Sequence, residues 1–206
     1  MSRQNVTREK PKRQYQMTRR AELEEQTRLR ITESTVALHE KVGPAQTSIS
    51  AVAELAGVRR STVYRHFPDE ESLIDACSAH WRTANPAPDL AGWAAVADPP
   101  ERLRTALAEM YAHYRRTERM RTGLLRDESL VPAIRQRLRG WYRYLDAAAD
   151  ALMTGRSRRG RPAHRTRAAI GHALAFTTWR SLAKEQGLDD DEVVALMSQL
   201  VDASCP

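Results

Sequence analysis

The sequence predicts an all-α protein, a small N-terminal three-helix unit followed by a larger helical body. Apolar residues recur three and four apart along most of the 206 residues, no segment alternates with the period of a strand, and glycine and proline punctuate the periodic stretches. No repeat at a fixed period is visible. A 41% hydrophobic content is enough for a core, in one large or two small domains.

The first predicted helix runs from Leu23 to Val42, with Ile31, Thr35, Leu38 and Val42 on one stripe, and Gly43-Pro44 stops it. Ser48 or Ser50 then caps a second helix by accepting an orphan backbone N–H, and Ile49, Val52, Ala53 and Ala56 form its inner face. Gly57 supplies the positive φ for a sharp turn. A third helix follows with Ser61 or Thr62 at its start and Val63 and Phe67 facing inward. This is a helix-turn-helix pattern. Arg59, Arg60, Thr62, Tyr64, Arg65 and His66 are left pointing outward, a donor-rich face suited to phosphate oxygens and to guanine edges.

A fourth helix, Asp69 to Thr83, carries Leu73, Ile74 and Trp81. Asp69, Glu70 and Glu71 complement the positive end of that helix. Asn85-Pro86-Ala87-Pro88 and Asp98-Pro99-Pro100 mark boundaries, since proline lacks a donor and displaces the residue before it from the helical region. Leu103, Leu107, Met110 and Tyr114 form the next stripe; Gly123 to Leu130 reads as a separate short helix ended before Pro132. Ile134, Leu138, Trp141, Leu145 and Leu152 form another stripe. Gly155 to Pro162 reads as a basic loop. A single helix is expected from Ala163 to about Gln186, apolar over a wide arc through Ile170, Leu174, Phe176, Trp179 and Leu182, and hence covered on more than one side. The last helix, Asp190 to Ala203, offers Val193, Leu196, Met197, Leu200 and Val201 as a second seam.

Charge is unevenly placed. The net +7 lies almost wholly in residues 1–20, where Arg3, Arg8, Lys10, Lys12, Arg13, Arg19 and Arg20 face the single acid Glu9. Such a flexible basic arm beside a helix-turn-helix can follow a DNA backbone or enter the minor groove, with affinity that falls as salt rises. The alternative is a solubilising tail. No run of about 18 apolar residues and no signal segment appears, so a cytoplasmic protein without membrane contact is expected. Cys77 and Cys205 lie far apart and are expected to remain thiols.

The segment from Thr47 to Leu73, including Ala-Glu-Leu-Ala-Gly-Val at 53–58, Ser-Thr-Val-Tyr-Arg-His-Phe at 61–67 and Pro68-Asp69-Glu70-Glu71-Ser72-Leu73, closely resembles the DNA-binding domain of the tetracycline-repressor-like (TetR) transcription regulators. Thr178-Trp179-Arg180-Ser181-Leu182 through Gln186-Gly187-Leu188 is similar to the C-terminal region of many of them. The resemblance implies a homodimeric, ligand-responsive, non-enzymatic repressor that binds a double-stranded DNA operator. It divides the chain into the arm (1–20), a helix-turn-helix domain (21–68) and an effector-binding and dimerisation domain (69–206). Carried over by position, Arg60, Ser61, Thr62 and Arg65 lie nearest the bases, with Arg59 beside them. Tyr64 and His66 hold phosphates, and Thr47 and Ser48 favour an anion at the start of the preceding helix. The chain departs from the family at Glu70, where many members carry a lysine that meets the DNA backbone.

No catalytic or cofactor pattern is present: the histidines lack ligand spacing, no Cys-x-x-Cys or Gly-x-Ser-x-Gly occurs, and Arg161-Pro162 follows the glycines that would open a phosphate loop. A small helical enzyme acting on an acidic substrate would need such a cluster. No metal or cofactor is therefore expected. Trp81, Met110, Tyr114, Leu124, Trp141, Tyr142, Leu145, Phe176 and Trp179 are the candidate walls of a cavity for a small, mostly apolar effector, with ordinary core packing as the competing role. A dimeric DNA binder controlled by a protein partner, or constitutive, is the alternative reading.

Overall fold

The computed structural model describes residues 10–156 and 160–204. Its order is α1 (Lys10–Val42), a 3₁₀ turn (Pro44–Gln46), α2 (Ile49–Leu55), α3 (Arg60–His66), α4 (Glu70–Ala84), α5 (Leu90–Ala95), α6 (Pro99–Asp127), α7 (Pro132–Met153), α8 (Gly160–Ala173), α9 (Phe176–Arg180), a π-helical turn (Ser181–Glu185) and α10 (Asp190–Ala203). No strand occurs among the described residues. Residues 1–9 of the basic arm, the centre of the 155–162 loop and Cys205 lie outside the described set.

Side-chain caps set several helix starts. Ser48 accepts from Ala51 N, Asp69 from Ser72 N, Asp89 from Ala91 N and Gly92 N, and Asp98 from Glu101 N. Asp189 and Glu192 form a reciprocal capping box at α10. By contrast α3 is entered from extended Arg59 with no side-chain cap, so neither Ser61 nor Thr62 has the capping position.

Three apolar clusters organise the molecule. Ile31, Val52, Ala53, Val63, Phe67 and Leu73 close the N-terminal unit. The C-terminal body packs around α6, with Trp93, Leu107, Met110, Tyr114, Trp179 and Val201 among its buried residues. Ile74 meets Ile134 and Leu138 between the two. Thus α4 serves both sides of the joint, giving Leu73 to the first cluster and adjacent Ile74 to the third.

Three expectations about element limits are corrected. The first helix begins at Lys10 rather than Leu23, so Lys10 to Arg20 of the basic arm are helical. Over residues 15–22 these added turns bury no stripe, with Tyr15 and Met17 in solvent, which is why apolar spacing does not reveal them. Gly123 does not begin a separate helix: α6 runs unbroken to Asp127. A Cβ at Gly123 would stand 3.4 Å from Gly43 Cα and from the His39 carbonyl oxygen, so the glycine there permits close approach to the end of α1.

Nor is 163–186 one helix. It stops at Ala173 and restarts at Phe176, because two buried tyrosines of α6 occupy carbonyls at the break: Tyr111 donates to the Ala173 oxygen at 2.9 Å and Tyr114 to the Leu174 oxygen at 2.5 Å. Beyond Arg180 the chain widens into the π turn, closed by Gln186 N donating to the Ser181 oxygen at 3.0 Å. Finally, Leu90–Ala95 forms the short helix α5 within the proline-rich region, with buried Trp93 donating to Glu109 at 2.7 Å.

Candidate DNA interface and effector cavity

The exposed side of the helix-turn-helix pair is built by burying its other side. Val63 of α3 and Phe67 just after it enter the small core while Arg59, Arg60, Ser61, Tyr64 and Arg65 stay exposed, with Thr62 half-buried. Gly57 makes the turn at φ 64°. Arg28 of α1 secures the far end of α3: its Nη1 donates to the His66 carbonyl oxygen at 3.0 Å and its guanidinium lies 4.4 Å from the Phe67 ring centre. This anchor has no local signature in the sequence, since it joins positions 38 apart.

Thr47, Ser48 and Tyr64 come together around one recess, joined there by Glu70. The Thr47 hydroxyl donates to the Gly43 carbonyl oxygen at 2.8 Å, and the Ser48 hydroxyl is the α2 cap. His66 departs from the rest of the face. It is half-buried, its Nε2 is enclosed with no hydrogen bond, and burial, Arg65 and Arg28 lower its pKa. A neutral ring at that position is a weaker phosphate ligand than a free imidazolium.

A cavity of about 270 Å³ lies between α4, α6 and α7, against the end of α1. Of the nine candidate wall residues, Trp81, Leu124 and Trp141 line it. Tyr142 and Leu145 instead face a groove between α7 and α8, and the Tyr142 hydroxyl donates to Glu128 at 3.0 Å. Met110, Tyr114, Phe176 and Trp179 pack in the core and do not line the cavity. Tyr114 is held there by its bond to Leu174, and Trp179 by donating to Asp190 at 2.9 Å.

A buried polar stripe that apolar periodicity passes over reaches the cavity at Arg121. His113, Thr117 and Arg121 follow each other at four-residue intervals along α6, all buried. Arg121 Nε donates to the Thr117 hydroxyl at 2.9 Å and Nη2 to His113 Nε2 at 2.8 Å, while its guanidinium lies 3.6 Å from the Trp141 ring centre. As an acceptor from a cation, His113 is neutral; burial and then Arg121 push its pKa down to about 4. Arg121 itself is lowered by burial to about 10 and keeps its charge at neutral pH. Two more titratable groups stand at the α1 end. His39 Nδ1 lies 3.8 Å from Cys77 Sγ; burial lowers the imidazole to about 4 and raises the thiol to about 12, so neither is charged near neutrality. Among the described residues no three His, Cys, Asp or Glu side chains converge as a metal site.

The same helix that lines the cavity is fastened to the hinge leading into α2. Buried Asp127 accepts from Ala45 N at 2.9 Å and from Arg126, whose Nη2 also donates to the Val42 carbonyl oxygen at 2.7 Å. Gly43 adopts φ 88° under this pair, and a Cβ there would stand 2.5 Å from Asp127 Oδ2. Arg121 and Asp127 are about 9 Å apart along the helix axis.

Comparison with known proteins matches this architecture. Residues 31–77 fit the model of the tetR family of bacterial regulatory proteins, and they span the end of α1, the helix-turn-helix and the first half of α4. Residues 31–77 are a DNA-binding domain of the tetR family. A putative TetR-family transcriptional regulator from Mesorhizobium loti MAFF303099 superposes with a TM-score of 0.63 at 17% identity, covering 88% of this chain and 96% of that one. A TetR-like regulator from Rhodococcus sp. RHA1 gives 0.62 at 17%, covering 85% and 93%. The fatty acid degradation regulator FadR of Bacillus halodurans gives 0.58 at 19%, covering 84% and 93%. At these identities the structural likeness speaks for the TetR fold alone. No curated protein matches the chain. With this domain the chain is a DNA-binding transcription regulator, and TetR regulators as a class are not enzymes. No helix among the described residues is long and apolar enough to cross a membrane.

Proposed function

We propose that this TetR-family protein is a repressor that works as a two-fold dimer and leaves a palindromic operator when a small, mostly apolar molecule fills the α4–α6–α7 cavity. The observation that carries the reading is the continuity of α6, which lines the cavity at Arg121 and Leu124 and grips the hinge before α2 through Arg126 and Asp127. A ligand that fits only one position of α6 shifts the spacing of the two recognition helices; release requires tighter binding to the state that does not match DNA. Residues 21–68 act as the reading head and 69–206 as the sensing and pairing body, in the cytoplasm. Arg60, Ser61, Thr62 and Arg65 meet base edges, Tyr64, Arg59, Thr47 and Ser48 meet phosphates, and the arm adds charge along the backbone.

Pairing is assigned to α8 and α10. Their outer sides carry Ala168 and Gly171, and Leu196 and Leu200, the two leucines each about two-fifths exposed. Small residues beside exposed leucines suit a four-helix seam between copies. Leu196→Glu with Leu200→Glu is expected to give a folded monomer by sedimentation; an unchanged dimer would move the seam elsewhere.

Footprinting on the DNA upstream of the protein's own coding region tests the whole reading, followed by release of the bound protein with a small-molecule panel. A protected, roughly palindromic site released by an apolar compound is expected. Protection that no compound relieves would favour the constitutive or partner-controlled alternative.

A further inference from the structure

The cavity is one-sided in charge. Arg82, Arg121 and Arg137 line it and no aspartate or glutamate does. Arg137 is paired outward with Asp75 and Glu71, yet its Nε is buried without a hydrogen bond. Arg121 is 7% exposed and forms no ion pair among the described residues. Its Nε and Nη2 are occupied by Thr117 and His113, both neutral. A buried guanidinium without a counter-charge is costly unless something supplies one. The tyrosines nearby do not do so, because burial raises the pKa of both Tyr114 and Tyr144, and their hydroxyls donate to the carbonyls of Leu174 and Pro88.

From this geometry we infer that the effector is a small organic anion, a monocarboxylate with an apolar body, whose carboxylate pairs with Arg121 while its body lies against Leu124, Ile134, Leu138 and Trp141. This inference rests on the proposed effector role of the cavity and narrows it to a chemical class. A planar carboxylate matches the guanidinium fork, and the ring of Trp141 beneath fixes the plane in which it is met. The volume lies near the lower end of ligand sites, about 300–1,000 Å³, which favours a compact acid over a large cofactor-linked one.

Octanoate, 1-octanol and octylamine share one chain and differ in head-group charge. Calorimetric titration of the full-length protein is expected to show octanoate binding at least tenfold tighter than octanol and octylamine not binding. Arg121→Met is expected to lose that preference while still binding octanol, and Arg121→Lys to retain part of it. Circular dichroism and operator binding of each variant establish that it is folded. Equal affinity for octanoate and octanol in the wild type, no binding of octanoate, or an undiminished preference in folded Arg121→Met would overturn the inference. Operator release, measured separately, distinguishes the two readings. Arg121-dependent octanoate binding without release upholds the anion site and sinks the effector role; release by octanol alone does the reverse.

Discussion

Replacing Arg60 and Arg65 together by alanine is expected to erase the difference between operator and random DNA while leaving the fold intact. Both side chains are exposed on α3 and neither is used in an ion pair or hydrogen bond among the described residues, so their removal leaves nothing unpaired in the protein. Each bidentate base contact is worth about 1–3 kcal/mol of discrimination, and a two-fold complex makes each contact twice. That is comparable to the whole margin of specific over non-specific binding, about 4–10 kcal/mol. Tyr64→Phe, which removes one hydroxyl from the same face, is expected to weaken both DNAs to a similar degree. Fluorescence anisotropy with the footprinted operator and a scrambled duplex measures the ratio; if the double variant keeps it, α3 does not read the bases.

The helix-turn-helix is legible in sequence because everything that makes it is local. Ser48 caps, Gly57 turns, and Val63 and Phe67 lie four apart, so a window of about twenty residues contains its causes. The same window hides Arg28, which fastens α3 from another helix. Long-range causes also explain two of the misread helix limits. Gly123 looks like a stop, yet it lies within α6 because Gly43 packs against it. Ala173-Leu174 looks continuous, yet the helix breaks because Tyr111 and Tyr114 bond its carbonyls.

The cavity shows the same division. Large aromatic residues are a natural choice for ligand walls, but size is also what a core needs, and Met110, Tyr114, Phe176 and Trp179 go to the core. The signal that leads to the cavity is a buried polar stripe that reaches it at Arg121. His113, Thr117 and Arg121 at four-residue spacing are that signal, and it points to chemistry because an apolar side chain would fill the space at lower cost.

A pH dependence of stability follows from two of these buried groups. His39 and His113 are 5% and 1% exposed, and each has its pKa lowered from 6.5 to about 4. Burial is the main cause for both; Asp127 partly opposes it at His39, whereas Arg121 and Arg116 reinforce it at His113. Between about pH 6.5 and 4 the unfolded chain therefore binds protons that the native chain refuses. Stability is full above pH 6.5 and is lost as pH falls toward 4. At pH 5 each histidine accounts for about 2 kcal/mol of loss, on the scale of 1.36 kcal/mol per pH unit. Asp127 and Asp190, whose pKa values are lowered chiefly by hydrogen bonds from Arg126 and Arg115, hold their contributions until the pH is lower still. Urea melts of the wild type are expected to lose stability steeply from pH 7 to 5, and His113→Gln, which retains an acceptor for Arg121, to lose about half as much. A wild-type stability that is flat over this interval would mean that both imidazoles titrate as freely in the native protein as in the unfolded chain, and that water reaches them there.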